Sequence, residues 1–328
     1  MRVLITGGAG FIGSITARSL LKAGHEVVIF DSLEHGHKQA VEGLELIIGE
    51  TQDFKFLNNV LRDKKIEAVI HFAAYIEIGE SYQDPYKYFY NNVYGSLQLF
   101  KAMVKNRVNN LVFSSTAGVY GNPKKLPIKE DDNKEPENPY GESKLMVEKM
   151  INWFDQSHGL KSVSLRYFNA AGASLDTALG EDHHPESHLI PNLIKAVLDQ
   201  DQPFVLHGDD YDTKDGTCIR DYIHVLDLAS AHILALESLV KKAKSQVYNV
   251  GTGQGYSNKQ VIEMVKKVSE KDINIEIGPK RLGDASILVA DAGKIKTSLG
   301  WQPKYSDLET IVSTAFKWHQ SHPQGYDH

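Results

Sequence analysis

Short apolar, β-branched runs alternate with amphipathic stretches through the first half of the chain. Residues 3–6, 27–30, 44–48 and 68–72 have the length and composition of strands, and residues 11–23 and 54–61 fall between them with helical spacing. Residues 96–104 and 145–154 continue the helices, and residues 111–114 and 163–165 the strands. This βαβ rhythm predicts a doubly wound parallel α/β sheet of the Rossmann type, with ligands at the C-terminal ends of its strands. After Ala171 the rhythm loosens into a Gly-, Asp-, His- and Pro-rich stretch, followed by helices over 191–198 and 257–268 and a strand over 205–207. The expected division is a Rossmann domain over residues 1–170 and a smaller α/β substrate domain over 171–328. The chain is expected to cross between them, leaving a cleft where they meet. The polar tail, 321–328, is expected to be disordered.

Composition narrows the function classes. Of 328 residues, 41% are hydrophobic and 24% charged, the profile of a globular chain, and no apolar run reaches the roughly 18 residues of a membrane span. The N-terminus lacks an export signal, and the one cysteine, Cys218, permits no intrachain disulfide and no multi-cysteine metal site. A cytoplasmic location is therefore expected. Net charge is −6 with scattered basic residues, which disfavours nucleic acid as a partner.

The first strand leads directly into Gly7-Gly8-Ala9-Gly10-Phe11-Ile12-Gly13. Gly7 permits a tight turn, Gly10 leaves room for a pyrophosphate, and Gly13 lets the first helix pack on the sheet with its N–H groups facing an anion. Glycines at the end of a strand are weak evidence alone. Asp31, however, ends the second strand eighteen residues after Gly13, close to the roughly 20-residue spacing of a carboxylate that takes adenosine ribose hydroxyls. A carboxylate there repels a 2′-phosphate, so NAD is expected rather than NADP.

Tyr140 and Lys144 lie four residues apart on the helix that Pro139 begins, hence on one face. Such a pair also occurs on ordinary solvated helices. Thr116, at the end of the strand over 111–114, adds a hydroxyl at the same sheet-end crevice. Hydroxyl, phenol and ammonium together form a proton relay for an alcohol oxidised by hydride transfer. An unperturbed phenol titrates near ~10, so Lys144 is expected to stabilise the phenolate.

With these motifs in place, the chain resembles the UDP-glucose 4-epimerases among the extended short-chain dehydrogenases. The further shared motifs are Phe72-Ala73-Ala74, Asn91-Asn92-Val93, Arg166-Tyr167-Phe168-Asn169, Asp215-Gly216-Thr217, Arg220 to Val225, and Arg281 with Asp284. The resemblance implies interconversion of UDP-glucose and UDP-galactose through a 4-keto sugar, with tightly bound NAD. It makes Tyr140 the proton acceptor, with Thr116 and Lys144 as its catalytic partners. It assigns cofactor contacts to Gly7, Gly10, Phe11, Ile12, Gly13, Asp31, Ser32, Leu33, Glu34, His35, Gly36, Glu50, Thr51, Phe72, Ala73, Ala74, Asn91, Tyr140, Lys144 and Phe168. Substrate contacts fall to Thr116, Tyr167, Asn169, His188, Leu189, Arg220, Arg281 and Asp284, with the two arginines on the diphosphate and Asp284 on the uridine ribose. A homodimer through the helices over 96–104 and 145–154 is also implied.

Four positions depart from the family pattern. Glu50 replaces an Asp, Ile76 replaces a cofactor-contacting Lys, His188 replaces a substrate-contacting Asn, and Leu288 replaces a Tyr that closes the sugar pocket. Weaker cofactor retention and room for a 2-acetamido group follow as expectations. Competing readings are a UDP-N-acetylglucosamine or UDP-pentose 4-epimerase and, from another class, a non-catalytic NAD-sensing module. A dehydratase is disfavoured because Ala117-Gly118 follows Thr116 where an acid–base pair is needed. No metal is expected: in the loop over 181–188, His183 and His188 lack helical spacing and Pro185 intervenes, so the loop reads as a polar wall of the cleft. Residues 209–215 read as a surface turn rather than a calcium loop.

Overall fold

The computed structural model describes residues 1–199, 203–241, 244–280 and 285–326. In chain order its strands are β1 Arg2–Thr6, β2 Glu26–Asp31, β3 Glu45–Ile48, β4 Ala68–His71, β5 Asn110–Thr116, β6 Lys161–Tyr167, β7 Asn169–Ala171, β8 Phe204–His207, β9 Ile219–His224, β10 Gln246–Val250, β11 Gly255–Ser257, β12 Ile275–Gly278 and β13 Ile287–Leu288. Seven of them form one parallel sheet in the order β10-β6-β5-β4-β1-β2-β3. The order reverses between β1 and β4, which opens a crevice at their C-terminal ends.

Both faces of this sheet are covered, so its strands are apolar throughout rather than alternating. Because neighbouring side chains point to opposite faces, Val3, Ile5, Ile29 and Ile70 pack into one core and Leu4, Val28, Phe30 and Val69 into another. The first core is closed by the helices Phe11–Lys22 and Val225–Val240, the second by Phe54–Asp63, Gly95–Lys105 and Pro139–His158. The helix Val225–Val240 buries residues into two clusters, with Leu228 and Leu236 in one and Val225 and Ala229 in the other. A helix buried on two sides has no polar stripe, so periodicity does not announce it.

β10 lies at the edge of the large sheet although it follows residue 170, and Val225–Val240 packs on that sheet. The remaining strands make a sheet in which β9 is bordered by β11 and β13 and also pairs with β7, together with a separate β8–β12 pair. Helices Leu189–Leu198, Asn258–Ser269 and Leu308–Ser321 share a core with them that includes Ile194, Tyr222, Val261 and Ile311. Phe168 is the single residue between β6 and β7, so the chain steps from one sheet to the other beside the cleft.

The tail departs from expectation. The last helix reaches Ser321, and Tyr326 is buried, its N–H bonded to Asp182 Oδ2 at 2.9 Å and its hydroxyl receiving the Gly180 N–H at 3.0 Å. Trp318 packs against Gly180, where a Cβ would sit 2.1 Å from the indole. A polar composition hid the two aromatic side chains that anchor the segment.

Candidate active site

The glycine turn joins β1 to the helix Phe11–Lys22. Gly7 has φ +69°, and a side chain on it would meet the Ala73 nitrogen at 2.5 Å; one on Gly13 would lie 2.2 Å from the Gly7 carbonyl oxygen. Both glycines are required by close backbone approach. At Gly10 the nearest protein atom is 3.6 Å from the would-be Cβ, so that side of the turn is left clear. Gly10 also caps the helix without a side-chain hydrogen bond, leaving first-turn N–H groups for an anion. Asp31 ends β2 beside the turn, accepting the Ala9 N–H at 2.9 Å on Oδ2 and the Leu33 N–H at 2.9 Å on Oδ1. Burial raises its pKa, and those two N–H groups oppose the rise.

Most of the residues expected to contact a cofactor lie in the segments that follow β2, β3 and β4. Ser32 to Gly36 form the loop after β2, where Tyr75 donates to Glu34 at 2.6 Å. Glu50 and Thr51 follow β3, and Phe72 to Ala74 follow β4. Asn91 lies in a π-helical turn, Phe89–Tyr94, and accepts a bond from Gln52 at 2.8 Å. Its neighbour Asn92, quoted above only within a motif, is buried and bonds Tyr75 N, Tyr75 O and the Ser143 hydroxyl at 2.9, 3.0 and 3.0 Å. π-helical turns recur at functional sites. Here it turns one asparagine inward to brace the β4 loop. Ile76 is 37% exposed, so the missing lysine leaves an apolar surface position.

Tyr140 and Lys144 occupy the first turns of the helix Pro139–His158, with Pro139 in the first turn and Asn138 capping through a 2.8 Å bond from the Gly141 N–H. Thr116 ends β5, and its hydroxyl faces the Tyr140 phenol. Burial pushes Tyr140 up to about 12; Thr116 favours the phenolate and Glu77 opposes it. Burial pushes Lys144 down to about 7, against the attraction of Glu148. Its ammonium donates to the Ser114 carbonyl at 2.8 Å. In the protein alone Lys144 turns toward the strand carbonyl, and the hydroxyl of Thr116 is the group that assists the phenol.

Ser114, which the sequence does not single out from Ser115 and Thr116, has two positioning roles. Besides holding Lys144 through its carbonyl, its side chain shares a 2.5 Å hydrogen bond with the Tyr167 hydroxyl. Behind Lys144, Glu148 forms a buried bidentate pair with Arg166 at 2.9 and 2.5 Å and accepts from Ser115 at 2.5 Å. Arg166 also donates to Tyr120 at 2.8 Å. Charge-assisted bidentate bonds of this kind fix rotamers, so helix, β5 and β6 are locked beneath the reactive groups. Glu148 lies in a stretch read from sequence as a plain helix, and Arg166 is quoted above only within a motif.

On the substrate side, Asn169 begins β7 and Arg220 lies on β9, where it is paired in register with Leu288 of β13. Phe168 is buried in an apolar cluster with Ala117, Val119, Tyr120 and Leu145, against which Leu288 packs. His188 caps the helix Leu189–Leu198 and is hydrogen-bonded through Nδ1 to buried Glu181. Ser187 donates to Glu77 at 3.0 Å, linking this loop to the carboxylate that acts on Tyr140. Arg281 and Asp284 lie outside the described residues. Residues 209–215 form a turn in which Asp215 Oδ1 accepts the Thr217 N–H and hydroxyl at 2.9 and 2.8 Å.

A glycine turn at the switch point, with a hydroxyl, a phenol and a lysine at neighbouring strand ends, is a constellation for nucleotide-assisted alcohol chemistry. Comparison with known proteins agrees. Residues 3–251 match the model of the NAD dependent epimerase/dehydratase family. A UDP-glucose 4-epimerase of Lactobacillus helveticus is 51% identical over 328 residues, covering 100% of this chain and 99% of that protein. A crystal structure of a UDP-glucose 4-epimerase superposes with a TM-score of 0.97 at 44% identity over 100% of both chains. One from Brucella ovis in complex with NAD does so with 0.94 at 43% identity, covering 96% and 97%. The chain therefore belongs to the NAD-dependent epimerase/dehydratase family.

Proposed function

We propose that this protein is a UDP-glucose 4-epimerase, interconverting UDP-glucose and UDP-galactose with NAD as a resident cofactor. The observation that carries the reading is the meeting of Tyr140 and Thr116 at the end of β5, with Lys144 bound to the same strand at Ser114, beside a glycine turn whose open side and uncapped helix fit a pyrophosphate. Gly7 to Gly13, Asp31 and the loop after it, Phe72 to Ala74, Asn91 and Lys144 hold the cofactor. When bound there, NAD supplies a hydride acceptor at C4 of the sugar and a positive charge near the phenol.

Tyr140 takes the proton of the 4-hydroxyl through or alongside Thr116 while C4 gives up its hydride, leaving a 4-keto sugar. Tyr140 later returns the proton when hydride comes back to the opposite face. The sugar must turn between these steps, so it is held through its nucleotide: Arg220 and Arg281 on the diphosphate, Asp284 on the uridine ribose, and His188 beside them. His188, favoured in its charged form by Glu181 despite burial, is an added cation for phosphate.

The single cysteine and the absence of any helix long and apolar enough to cross a membrane among the described residues support a cytoplasmic enzyme. A homodimer is supported by a groove between the helices Gly95–Lys105 and Pro139–His158, lined by Leu97, Val104 and Phe154, with Trp153 67% exposed. A second substrate, a UDP-N-acetylhexosamine, is favoured by Leu288 standing opposite Arg220 where a larger tyrosine is common in the family.

The test is incubation of purified protein with UDP-galactose and no added cofactor, followed by NMR of the anomeric protons. Appearance of UDP-glucose is expected. Conversion only after NAD is added marks weak retention, as Ile76 in place of lysine implies. No conversion under either condition removes the hexose reading, and a parallel tube with UDP-N-acetylgalactosamine decides the second.

A further inference from the structure

The loop before the helix Leu189–Leu198 gathers four side chains that the epimerisation chemistry does not require together. Glu181 hydrogen-bonds His188 Nδ1, and its Oε1 is 3.3 Å from His183 Nδ1. Glu186 Oε1 stands 3.9 Å from each of the two imidazole nitrogens. Ligand atoms from all four residues lie within 4.8 Å of one another. Four ligands at ~2.0–2.1 Å from one tetrahedral ion are roughly 3.3 Å apart; the Glu181–His183 contact matches this spacing, the hydrogen-bonded Glu181–His188 pair is closer and the Glu186 contacts are wider.

Independent of spacing, two of its buried atoms make no hydrogen bond: His183 Nδ1, whose contacts are the ion pairs to Glu181 and Glu186, and Glu186 Oε2. The Glu186 side chain is only 3% exposed, and the facing Lys195 ammonium is 4.0 Å from Oε2, beyond hydrogen-bond reach. Native proteins rarely leave buried polar atoms unmatched. The other Glu186 oxygen is held by the N–H groups of Ser187 and His188 at 2.8 and 2.9 Å, so the carboxylate is oriented before any ion arrives. Lys195 and His319 also face the cluster.

We propose that Glu181, His183, Glu186 and His188 form a binding site for one divalent transition-metal ion of the zinc class. Two imidazoles with two carboxylates select zinc, cobalt or nickel over magnesium and calcium, which take oxygen alone. The ion is structural: it clips the loop to the start of the following helix and fixes the wall that Ser187 joins to Glu77. It takes the place of the proton on His188 Nδ1, so the site does not depend on the cationic His188 proposed above. The sequence argument against a metal fails because an irregular loop can converge its ligands without helical spacing.

The test uses the full chain, dialysed against chelator, titrated with Co²⁺ and followed by calorimetry and by visible absorption of the cobalt. One ion per chain is expected, with the strong absorption of a four-coordinate site and its displacement by Zn²⁺. His183→Gln and Glu186→Gln should each weaken binding at least tenfold, with far-UV circular dichroism unchanged. Absence of a one-to-one site in the parent protein overturns the proposal. So does binding in both variants as tight as in the parent, which would place the ion elsewhere among the fourteen histidines.

Discussion

Tyr140 and Lys144 are each driven by burial toward their uncharged forms, Tyr140 up to about 12 and Lys144 down to about 7. Near neutral pH the phenol is therefore uncharged and Lys144 close to half protonated, so the two become an ion pair only at a cost, which a bound cofactor's charge offsets. Lys144 in the unfolded chain stays protonated to about pH 10.4. Folded, it releases its proton near 7, so between those values the unfolded state holds more protons and stability rises with pH. We expect cofactor-free Lys144→Met to lose that rise, so that its unfolding free energy against pH runs flatter than the parent's from pH 7 to 10. Parallel curves in urea unfolding would show that burial does not perturb this lysine. Tyr140→Phe removes the phenol hydroxyl that faces Thr116 and should lower turnover by roughly 10²–10⁴, the usual contribution of a positioned base. UDP affinity measured by calorimetry should stay within a few-fold, and turnover near the parent's would remove Tyr140 from the role of base.

At the scale of elements, the glycine turn is a packing problem before it is a binding site. A methyl on Gly13 would lie 2.2 Å from the Gly7 carbonyl oxygen, which also accepts the Gly10 N–H inside the turn. Gly13→Ala should therefore lose about 1–3 kcal/mol and release NAD. Gly79→Ala, at an open helical position with nothing within 4 Å, should be neutral or gain about 0.4–1 kcal/mol. Equal melting temperatures for the two variants would break the link between close approach and function. Glycines at 7, 10 and 13, like Pro139 with Tyr140 and Lys144, are legible in sequence because their spacing is local and each type answers a stereochemical need. Asn92, Ser114, Glu148 and Arg166 are not. Each works through a partner at least seventeen residues away, at distances the pattern does not encode.

Across the whole molecule, the C-terminal segment behaves as a clasp. Tyr326 bonds Gly180 and Asp182, stacks on His37, and covers Trp318, tying the last helix to the loop after β2 and to the segment that carries the histidine cluster. Ending the chain after His322 should uncover an indole and leave Asp182 without its Tyr326 partner. A loss of about 3–5 kcal/mol is expected from removing a buried aromatic, seen as a melting temperature lower by several degrees. An unchanged melting temperature would mean that the clasp carries no stability. For the assembly, sedimentation should return twice the mass of one chain, and Leu97→Glu should halve it; a monomeric parent would remove the dimer from the proposed function.

By itself the sequence determined the parallel sheet, the switch-point crevice, the glycine turn and the placing of Tyr140 and Lys144 one turn apart on a helix. Strand and helix periods, glycine stereochemistry and one turn of helix are short-range facts. The tertiary structure alone decided that Lys144 binds Ser114, that β10 and the helix Val225–Val240 return to complete the large sheet, that Tyr326 is buried, and that four ligand-bearing side chains meet in one loop. The physical reason is common to all four. Each is a contact between segments whose separation along the chain has no fixed period, or within a loop that has none, and burial and partner are set only when the elements pack.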